Sequence, residues 1–369
     1  MYKHRFTQLS QFAIATAAWV GLSISGATIA NAEIAIGLMS DLSGKASLLG
    51  KNTELGARLA TNDYNSGAVG EKIRLVVQDS ACNAKQAQKA AAKLLRLNIK
   101  IVIGPICNKA LFAAIKVLSP AGITIITPNI RATRIARGRK KENWLVFSLA
   151  GNAKTESEAI SKILLDRWQG MAYAIADDGS IYGRGLADDF RTLAELSGQK
   201  PVALANYRPL QTKQISMLRR LQKSGMEALF IGGDAVDIAL IARDADKIGL
   251  DIEIAGGESV ALLPFEDSAK FVPPGLLAVM PVEPQYFPSA SELVASLKRQ
   301  GIAPDGGVIP GYALMQIAIK AATSTDKIEQ LEFDTVLGKI RFSNDGYANA
   351  YPYRLHVWAD GEIKPLGGY

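Results

Sequence analysis

The only two cysteines of the chain, Cys82 and Cys107, are its most reactive side chains, and each follows a short apolar run typical of a strand. Such a pair can form a disulfide, bind a metal or remain as buried free thiols. A zinc site is disfavoured because the two cysteines are isolated and lack CxxC spacing. If the chain is exported to an oxidising compartment, a disulfide is expected, with two free thiols as the alternative.

Few other side chains could serve in catalysis. Of the two histidines, His4 lies near the N-terminus and His356 in a predicted C-terminal strand, so no Ser-His-Asp arrangement follows. The sequence contains no nucleophile elbow, phosphate-binding loop, zinc-protease helix or dinucleotide-binding glycine pattern. We therefore predict a protein that is not an enzyme, with no catalytic residues, no cofactor and no metal.

The sequence alternates between patterns typical of strands and patterns typical of helices, and these elements must position the two cysteines and any binding residues. Short apolar runs separated by helical spacing extend from Glu33 to Ile126, and a second set begins near Ala150 and continues to Met280. This alternation builds parallel sheets, in which ligands bind beyond the carboxyl ends of the strands. We predict an α/β fold with two doubly wound parallel-sheet lobes, followed by short antiparallel strands in the C-terminal tail.

The first 32 residues have the three parts of a secretory signal peptide. Lys3 and Arg5 form a basic start, an apolar stretch runs to Ile29, and small residues precede Glu33. We predict cleavage after residue 32 and a periplasmic mature chain, with an uncleaved membrane anchor as the alternative.

The formal net charge is +7, and the surplus is concentrated in Arg131, Arg134, Arg137, Arg139, Lys140 and Lys141. We interpret this run as a solvated loop. Because it has no interleaved aromatic residues and the chain is predicted to be exported, binding of nucleic acid is excluded.

Seven segments in a fixed order give a specific resemblance. They are DLSGKASLLGKNTELGARLA at 41–60, DSACNAKQA with IVIGPICN around the cysteines, ITPN at 126–129, DDGSIYGRGLADDF at 177–190, ALFIGGD at 228–234, AGGES at 255–259 and TVLGKIRFSNDG at 335–346. In this order the chain resembles the periplasmic substrate-binding proteins of branched-chain amino acid ABC transporters, the leucine and Leu/Ile/Val-binding type.

The resemblance implies two lobes joined by three hinge crossings, near Ala150, Pro281 and Tyr351. The expected first lobe is 33–150 plus 281–350, and the expected second lobe is 151–280 plus 351–369. It also implies a monomer that holds a small ligand between the lobes and hands it to ABC transporter permease subunits.

Three first-lobe positions correspond to those that hold a ligand carboxylate in this family: Asn108, Asn129 and Arg131. The family usually has Ser or Thr at the first and last of them, so this chain departs from the pattern there. The alternatives are that Asn108 only caps its helix and that Arg131 points to solvent.

In the second lobe Tyr182 matches a tyrosine that lines the cleft in this family. Glu258 matches the carboxylate that receives the ligand's ammonium group. The alternative for Glu258 is an acidic loop residue or a helix cap without a ligand. Asp234 stands where the family often has an aromatic residue; it adds negative charge near the ammonium or merely caps the following helix. Leu49 stands where the family often has tyrosine and lines the side-chain pocket or belongs to the core.

The resulting hypothesis is a periplasmic receptor that delivers an amino acid or related small carboxylate to an ABC importer by closing two lobes over it. The alternatives are a sensory or regulatory subunit of the same fold, or an importer receptor for an aromatic or aliphatic acid without an amine, or for an amide.

Overall fold

The computed structural model describes residues 33–68, 70–304, 306–348 and 350–367. The predicted signal peptide lies outside these ranges. Among the described residues, no helix is both long enough and apolar enough to cross a bilayer.

The first sheet has five parallel strands in the order β2-β1-β3-β4-β5. They are β1 (Glu33–Ser40), β2 (Lys72–Asp79), β3 (Ile101–Ile103), β4 (Thr124–Thr127) and β5 (Val146–Ser148). The helices between them are α1 (Ser47–Gly67), α2 (Ala84–Arg96), α3 (Asn108–Leu118) and α4 (Arg134–Glu142). Ala87, Ala91 and Leu94, on the inward face of α2, are all fully buried.

The second sheet begins after β5 and has the order β14-β13-β10-β9-β8-β6-β7. Its first elements are α5 (Thr155–Arg167), β6 (Tyr173–Asp177), α6 (Ile181–Leu196), β7 (Ala203–Asn206), α7 (Ile215–Gln222), β8 (Ala228–Gly232), α8 (Ala235–Lys247), β9 (Glu253–Gly256) and β10 (Leu277–Pro281). Strands β6 to β10 pair in parallel, as the sequence pattern predicted.

The chain then returns to the first sheet. It forms α9 (Ser291–Arg299) and α10 (Val308–Thr323), of which α10 packs against α1, and a two-stranded antiparallel sheet of β11 (Phe333–Thr335) and β12 (Gly338–Ile340). Finally β13 (Tyr353–Ala359) and β14 (Glu362–Pro365) add two antiparallel strands to the second sheet. The chain thus passes between the sheets after β5, after β10 and before β13. We call each sheet with its helices a lobe; the exact residue ranges assigned to the lobes stay a prediction.

Both sheets are covered by helices on both faces. Successive strand residues point to opposite faces. Accordingly, Ile126 shares one buried cluster with α1 and α10, whereas Ile125 shares another with α2 and α3. In the second sheet, Leu229 packs with α7 and α8, whereas Phe230 packs with α5 and α6. Fully buried strands of this kind are typical of doubly wound folds, and the predicted fold class is confirmed.

One sequence prediction on the surface is wrong. Most of the basic run forms the helix α4 rather than a solvated loop. The side chain of Arg139 is only 9% exposed, and it bonds Glu329 at 2.5 Å while its guanidinium lies 4.2 Å from the centre of the Phe147 ring. The cationic side chain therefore joins the returning segment to the first sheet. His356, in contrast, lies in a strand, β13, as predicted, and its side chain is buried.

Candidate functional site

The predicted site residues lie where the carboxyl ends of the two sheets face each other. Leu49 is in α1, which follows β1, Asn108 begins α3 after β3, and Asn129 and Arg131 follow β4. In the second lobe, Tyr182 follows β6, Asp234 follows β8 and Glu258 follows β9. This is the edge at which open α/β sheets bind their ligands.

The disulfide between Cys82 and Cys107 is present, so the alternative of free thiols is wrong. Ala81 and Cys82 both have a φ of 48°, a left-handed conformation that L-residues rarely adopt. Asp79 accepts the Ala81 N–H at 2.8 Å, and the fully buried Asp41 accepts the Cys82 N–H at 2.6 Å. These bonds stabilise the turn, so that Cys82 reaches the residue preceding α3.

The same cluster is not a metal site. Asp41, Cys82 and Cys107 are the one group of potential ligands brought together within the described residues. Both sulfurs are bonded to each other, and one oxygen of Asp41 accepts two hydrogen bonds. No described residue bonds the remaining oxygen of Asp41, but a single carboxylate oxygen does not make a cation site.

The amides of the first lobe are open. Asn108 is the exposed first residue of α3, and the N-cap position belongs to Cys107, so the interpretation of Asn108 as a cap is wrong. Asn129 is exposed and lines a cavity described below. Neither amide side chain has a hydrogen-bond partner among the described residues. Both can therefore donate to a ligand at no cost to the protein's own bonds.

Arg131 crosses the gap between the lobes. Its Nη1 donates to Oε1 of Glu258 at 2.6 Å, and the two side chains are 29% and 24% exposed. Burial, the largest single effect, lowers the pKa of Arg131, but its bond with Glu258 and the nearby charges, chiefly that of Glu258, together outweigh burial and raise the pKa. The alternative that Arg131 points to solvent is wrong.

Tyr353, a residue that the sequence analysis missed, donates its hydroxyl to the same oxygen of Glu258. It is the first residue of β13, and it pairs with Pro281 at the end of β10. Because β13 is antiparallel to β10, its start lies at the carboxyl ends of the parallel strands. The only sequence signal was its place at the beginning of a strand just after the predicted third crossing.

Glu156, the second missed residue, connects Tyr182 to Glu258. Its Oε1 accepts the Tyr182 hydroxyl at 2.7 Å and the Glu258 N–H at 2.8 Å, and the residue is nearly fully buried. Burial, and then the charge of Glu258, raise the pKa of Glu156 to about 7 despite these bonds. Burial and Glu156 also raise the pKa of Tyr182, so its phenol stays protonated.

The start of α6 is fixed next to β8. Ser180 caps the helix by accepting the Gly183 N–H at 2.9 Å. A Cβ at Gly183 would collide with the backbone of Gly232, and one at Gly232 would collide with the backbone of Gly183. Two glycines thus let helix and strand touch, which sets the position of Tyr182.

Asp234 is a helix cap, as one of the two interpretations predicted. Its Oδ1 accepts the Val236 N–H at 3.0 Å at the start of α8, and the residue is exposed. Within the described ranges, no hydrogen bond or ion pair connects Asp234 to Glu258. The structure therefore does not bring Asp234 into the network around Arg131.

A cavity of about 270 Å³ lies beside Arg131, between the first lobe and the segments that cross to the second. Leu49, Asn129 and Arg131 line it together with residues of all three crossings, Ala150, Pro281 and Tyr351. Asn108, Tyr182, Asp234 and Glu258 do not line it. The volume lies just below the roughly 300 to 1,000 Å³ of common small-molecule sites, which indicates a small ligand.

The chain matches the family model described as periplasmic binding protein over residues 33–362. It is 24% identical over 354 residues to the Leu/Ile/Val-binding protein BraC3 of Rhizobium johnstonii, covering 92% of this chain and 96% of that protein. It is 25% identical over 359 residues to the leucine-, isoleucine-, valine-, threonine- and alanine-binding protein of Pseudomonas aeruginosa, covering 94% of each.

Among solved structures, an ABC transporter substrate-binding protein from Desulfitobacterium hafniense superposes with a TM-score of 0.67 at 21% identity. The match covers 90% of this chain and all of that chain. At this level of identity the likeness shows the shared fold.

Proposed function

The chain belongs to the periplasmic binding protein family, and from this membership we propose that it is the solute receptor of an ABC importer for an amino acid or a related small carboxylate. Family members of this kind bind and release solutes and are not enzymes. The two curated relatives described above are binding proteins for branched-chain and related amino acids. Their names supply the first ligands to be tested.

The observation that carries the proposal is the contact of Arg131 with Glu258 above the cavity. It joins the end of β4 in the first lobe to the end of β9 in the second, and the chain between the lobes lines the cavity below it. A solute bound to Arg131 in this cavity lies next to the contact between the lobes, so the second lobe encloses it only when the lobes are closed. Its binding free energy therefore favours the closed state, which a membrane partner can distinguish from the open one.

We assign the solute's carboxylate to Arg131, assisted by the free amides of Asn108 and Asn129. The exposed N-terminus of α3 adds N–H groups that attract an anion. Leu49 contacts the apolar part of the solute from the cavity wall. Tyr182 and Glu258, which do not line the cavity, form the second-lobe wall of the cleft above it, and Asp234 keeps its role as a helix cap.

A ligand screen tests this function. Purified residues 33–369 are heated with amino acids, small carboxylic acids and their amides, and the unfolding midpoint is recorded. A solute at 100 times its dissociation constant stabilises the folded protein by roughly 2.7 kcal/mol, a readily detected shift. An absence of stabilisation by every amino acid and small acid would contradict the proposal.

Closure of the lobes is measured separately. We expect small-angle scattering to show a smaller radius of gyration when the stabilising solute is added, with hinges near Ala150, Pro281 and Tyr351. A variant that still binds the solute without becoming more compact would show that binding and closure are not coupled.

The export and the membrane partner are part of the same proposal. We expect the full chain, expressed in a Gram-negative host, to appear in the periplasmic fraction with Glu33 as its first residue. A chain that begins at residue 33 serves as the control and should remain in the cytoplasm. Transport itself requires reconstitution with permease and ATPase subunits, and uptake should depend on the added receptor.

A further inference from the structure

The charge of Glu258 is already compensated by the protein. Arg131 donates to its Oε1 at 2.6 Å, and the Tyr353 hydroxyl donates to the same oxygen. About three quarters of the surface of both ionic side chains is shielded from solvent. An ammonium group that approached Glu258 would have to displace the guanidinium of Arg131, or its binding would be weakened by repulsion from that guanidinium.

Glu156, the neighbouring carboxylate, is no better suited to receive an ammonium group. Its Oε1 already accepts the Tyr182 hydroxyl and the Glu258 N–H, and the side chain is nearly fully buried. Its pKa of about 7 means that near neutral pH a large share of molecules carry it uncharged. Glu258 is thus paired with a cation and Glu156 is partly protonated, and neither carboxylate lines the cavity.

Arg131, in contrast, keeps donors for an anion. Only Nη1 is engaged by a described residue, and a guanidinium carries five N–H groups in a planar fork. The side chain also lines the cavity, beside the free amide of Asn129. A carboxylate there can accept two parallel N–H bonds while Glu258 holds the other side of the guanidinium.

The rest of the cavity is mostly apolar, lined by Leu49, Ile106, Pro128 and Val282 among others. The one acid on its wall, within the part of the chain that the structure describes, is Glu283. This residue is exposed, and its carboxylate accepts the side-chain amide of Gln285 at 2.7 Å. Water and Gln285 thus already solvate its charge.

We propose that the solute is a small monocarboxylic acid with an apolar body and no charged amine, bound by Arg131, and that Glu258 positions the guanidinium instead of receiving an ammonium. This proposal rests on the function proposed above and narrows its range of solutes. It makes Arg131 the residue that determines specificity.

Matched pairs of ligands that differ only in the α-amine provide the test. The dissociation constants of 4-methylpentanoate and leucine, and of 3-phenylpropanoate and phenylalanine, are measured by calorimetry on purified residues 33–369. We expect the acid of at least one pair to bind about tenfold or more tightly than its amino acid, because the ammonium has no free carboxylate partner. Binding of an amino acid more tightly than its matched acid would overturn the proposal.

Variants then separate the roles of the charged residues. Arg131→Met should weaken binding of the acid by about 100-fold, and Arg131→Lys by about tenfold, because lysine keeps the charge without the fork. Glu258→Gln should weaken binding of acid and amino acid to a similar extent, since it only releases the guanidinium. A loss confined to the amino acid in Glu258→Gln or in Glu283→Gln would identify that residue as an ammonium acceptor and refute the proposal.

Two further outcomes distinguish this proposal from the broader function. If amino acids bind and the matched acids do not, the receptor function stands and the inference fails. If no ligand of either class binds a protein whose circular dichroism and unfolding are normal, both fail. The unfolding midpoint of each variant without ligand serves as the control for folding.

Discussion

The first-lobe wall of the cleft (Asn108, Asn129 and Arg131) and the second-lobe wall (Glu156, Tyr182, Glu258 and Tyr353) are held by different means. In the first lobe the backbone is fixed, by the Cys82–Cys107 disulfide next to Asn108, while no described residue bonds the side-chain amide of Asn108 or Asn129. In the second lobe the side chains themselves are fixed by bonds to one another. The two amides of the first-lobe wall are thus free to adapt to a ligand, whereas Arg131, through Glu258, and the second-lobe wall are arranged in advance.

The largest expected effect tests the covalent support of the first-lobe wall. Replacing both cysteines, Cys82→Ser with Cys107→Ser, should lower the free energy of unfolding by about 3 kcal/mol, since the bond closes a loop between residues 25 positions apart. Urea unfolding of the oxidised wild type and of the double variant measures the difference. Reduced wild-type protein is the matched control and should behave like the variant; equal stability of all three would contradict this view.

The next largest expected effect concerns the second-lobe wall and is a change of stability with pH. Glu156 has a pKa of about 7 in the folded chain against an ordinary value of 4.5, so the folded state binds this proton more tightly than the unfolded state. Its contribution to stability is complete below pH 4.5 and is lost as pH rises through 7. Between pH 5 and 8 the wild type should lose on the order of 2 kcal/mol relative to Glu156→Gln.

The measurement is the unfolding midpoint of both proteins in urea at several pH values, and the difference between them isolates Glu156 from other titrating groups. Glu158→Gln, an exposed position on the same first turn of α5, is the control and should follow the wild type. If the stabilities of wild type and Glu156→Gln changed with pH in the same way, the role of Glu156 in the second-lobe wall would be contradicted.

A smaller effect tests a single bond of the second-lobe wall. Tyr182→Phe removes the hydroxyl that donates to Glu156 and should cost about 1 kcal/mol of stability in urea unfolding. Tyr64→Phe is a matched control in the first lobe, because no described residue bonds its hydroxyl. An equal loss of stability in the two variants would mean that the hydrogen bond from Tyr182 to Glu156 does not stabilise the folded protein.

The last prediction distinguishes the two possible roles of Asp234, a helix cap or a contact with the ligand. Asp234→Ala should destabilise by about 1 kcal/mol because it removes the cap of α8, whereas Asp234→Asn should change stability little, since Asn caps equally well. Calorimetry with the identified solute should show unchanged affinity in Asp234→Asn. A large loss of affinity there would place Asp234 in the binding network after all.

The sequence allowed the fold class, the disulfide and the edge of each sheet that carries the polar residues to be predicted, because each depends on local patterns. The strand β3, for example, is a short apolar run that ends just before Gly104 and Pro105. Apolar runs followed by turn residues mark strand ends regardless of tertiary packing.

The remainder of the site depends on residues far apart in the chain. Arg131 and Glu258 are 127 positions apart, and Glu156 and Glu258 are 102 apart, so no local pattern indicates either contact. A glutamate in the first turn of a helix is ordinarily a surface residue that favours the helix dipole, so Glu156 gave no sign of its burial. Arg139 was missed likewise, because its partner Glu329 lies in the returning segment.

The paired glycines at positions 183 and 232 have a consequence for how new specificities could arise in this protein. Random mutagenesis should recover folded receptors with many different side chains at Leu49, Asn108 and Asn129, because these positions are exposed; such substitutions should change the affinity for the solute rather than the fold. At the two glycines it should recover almost none, since any larger residue would push Tyr182 out of place. Libraries aimed at a new solute should therefore diversify the first lobe and leave the contact of α6 with β8 untouched.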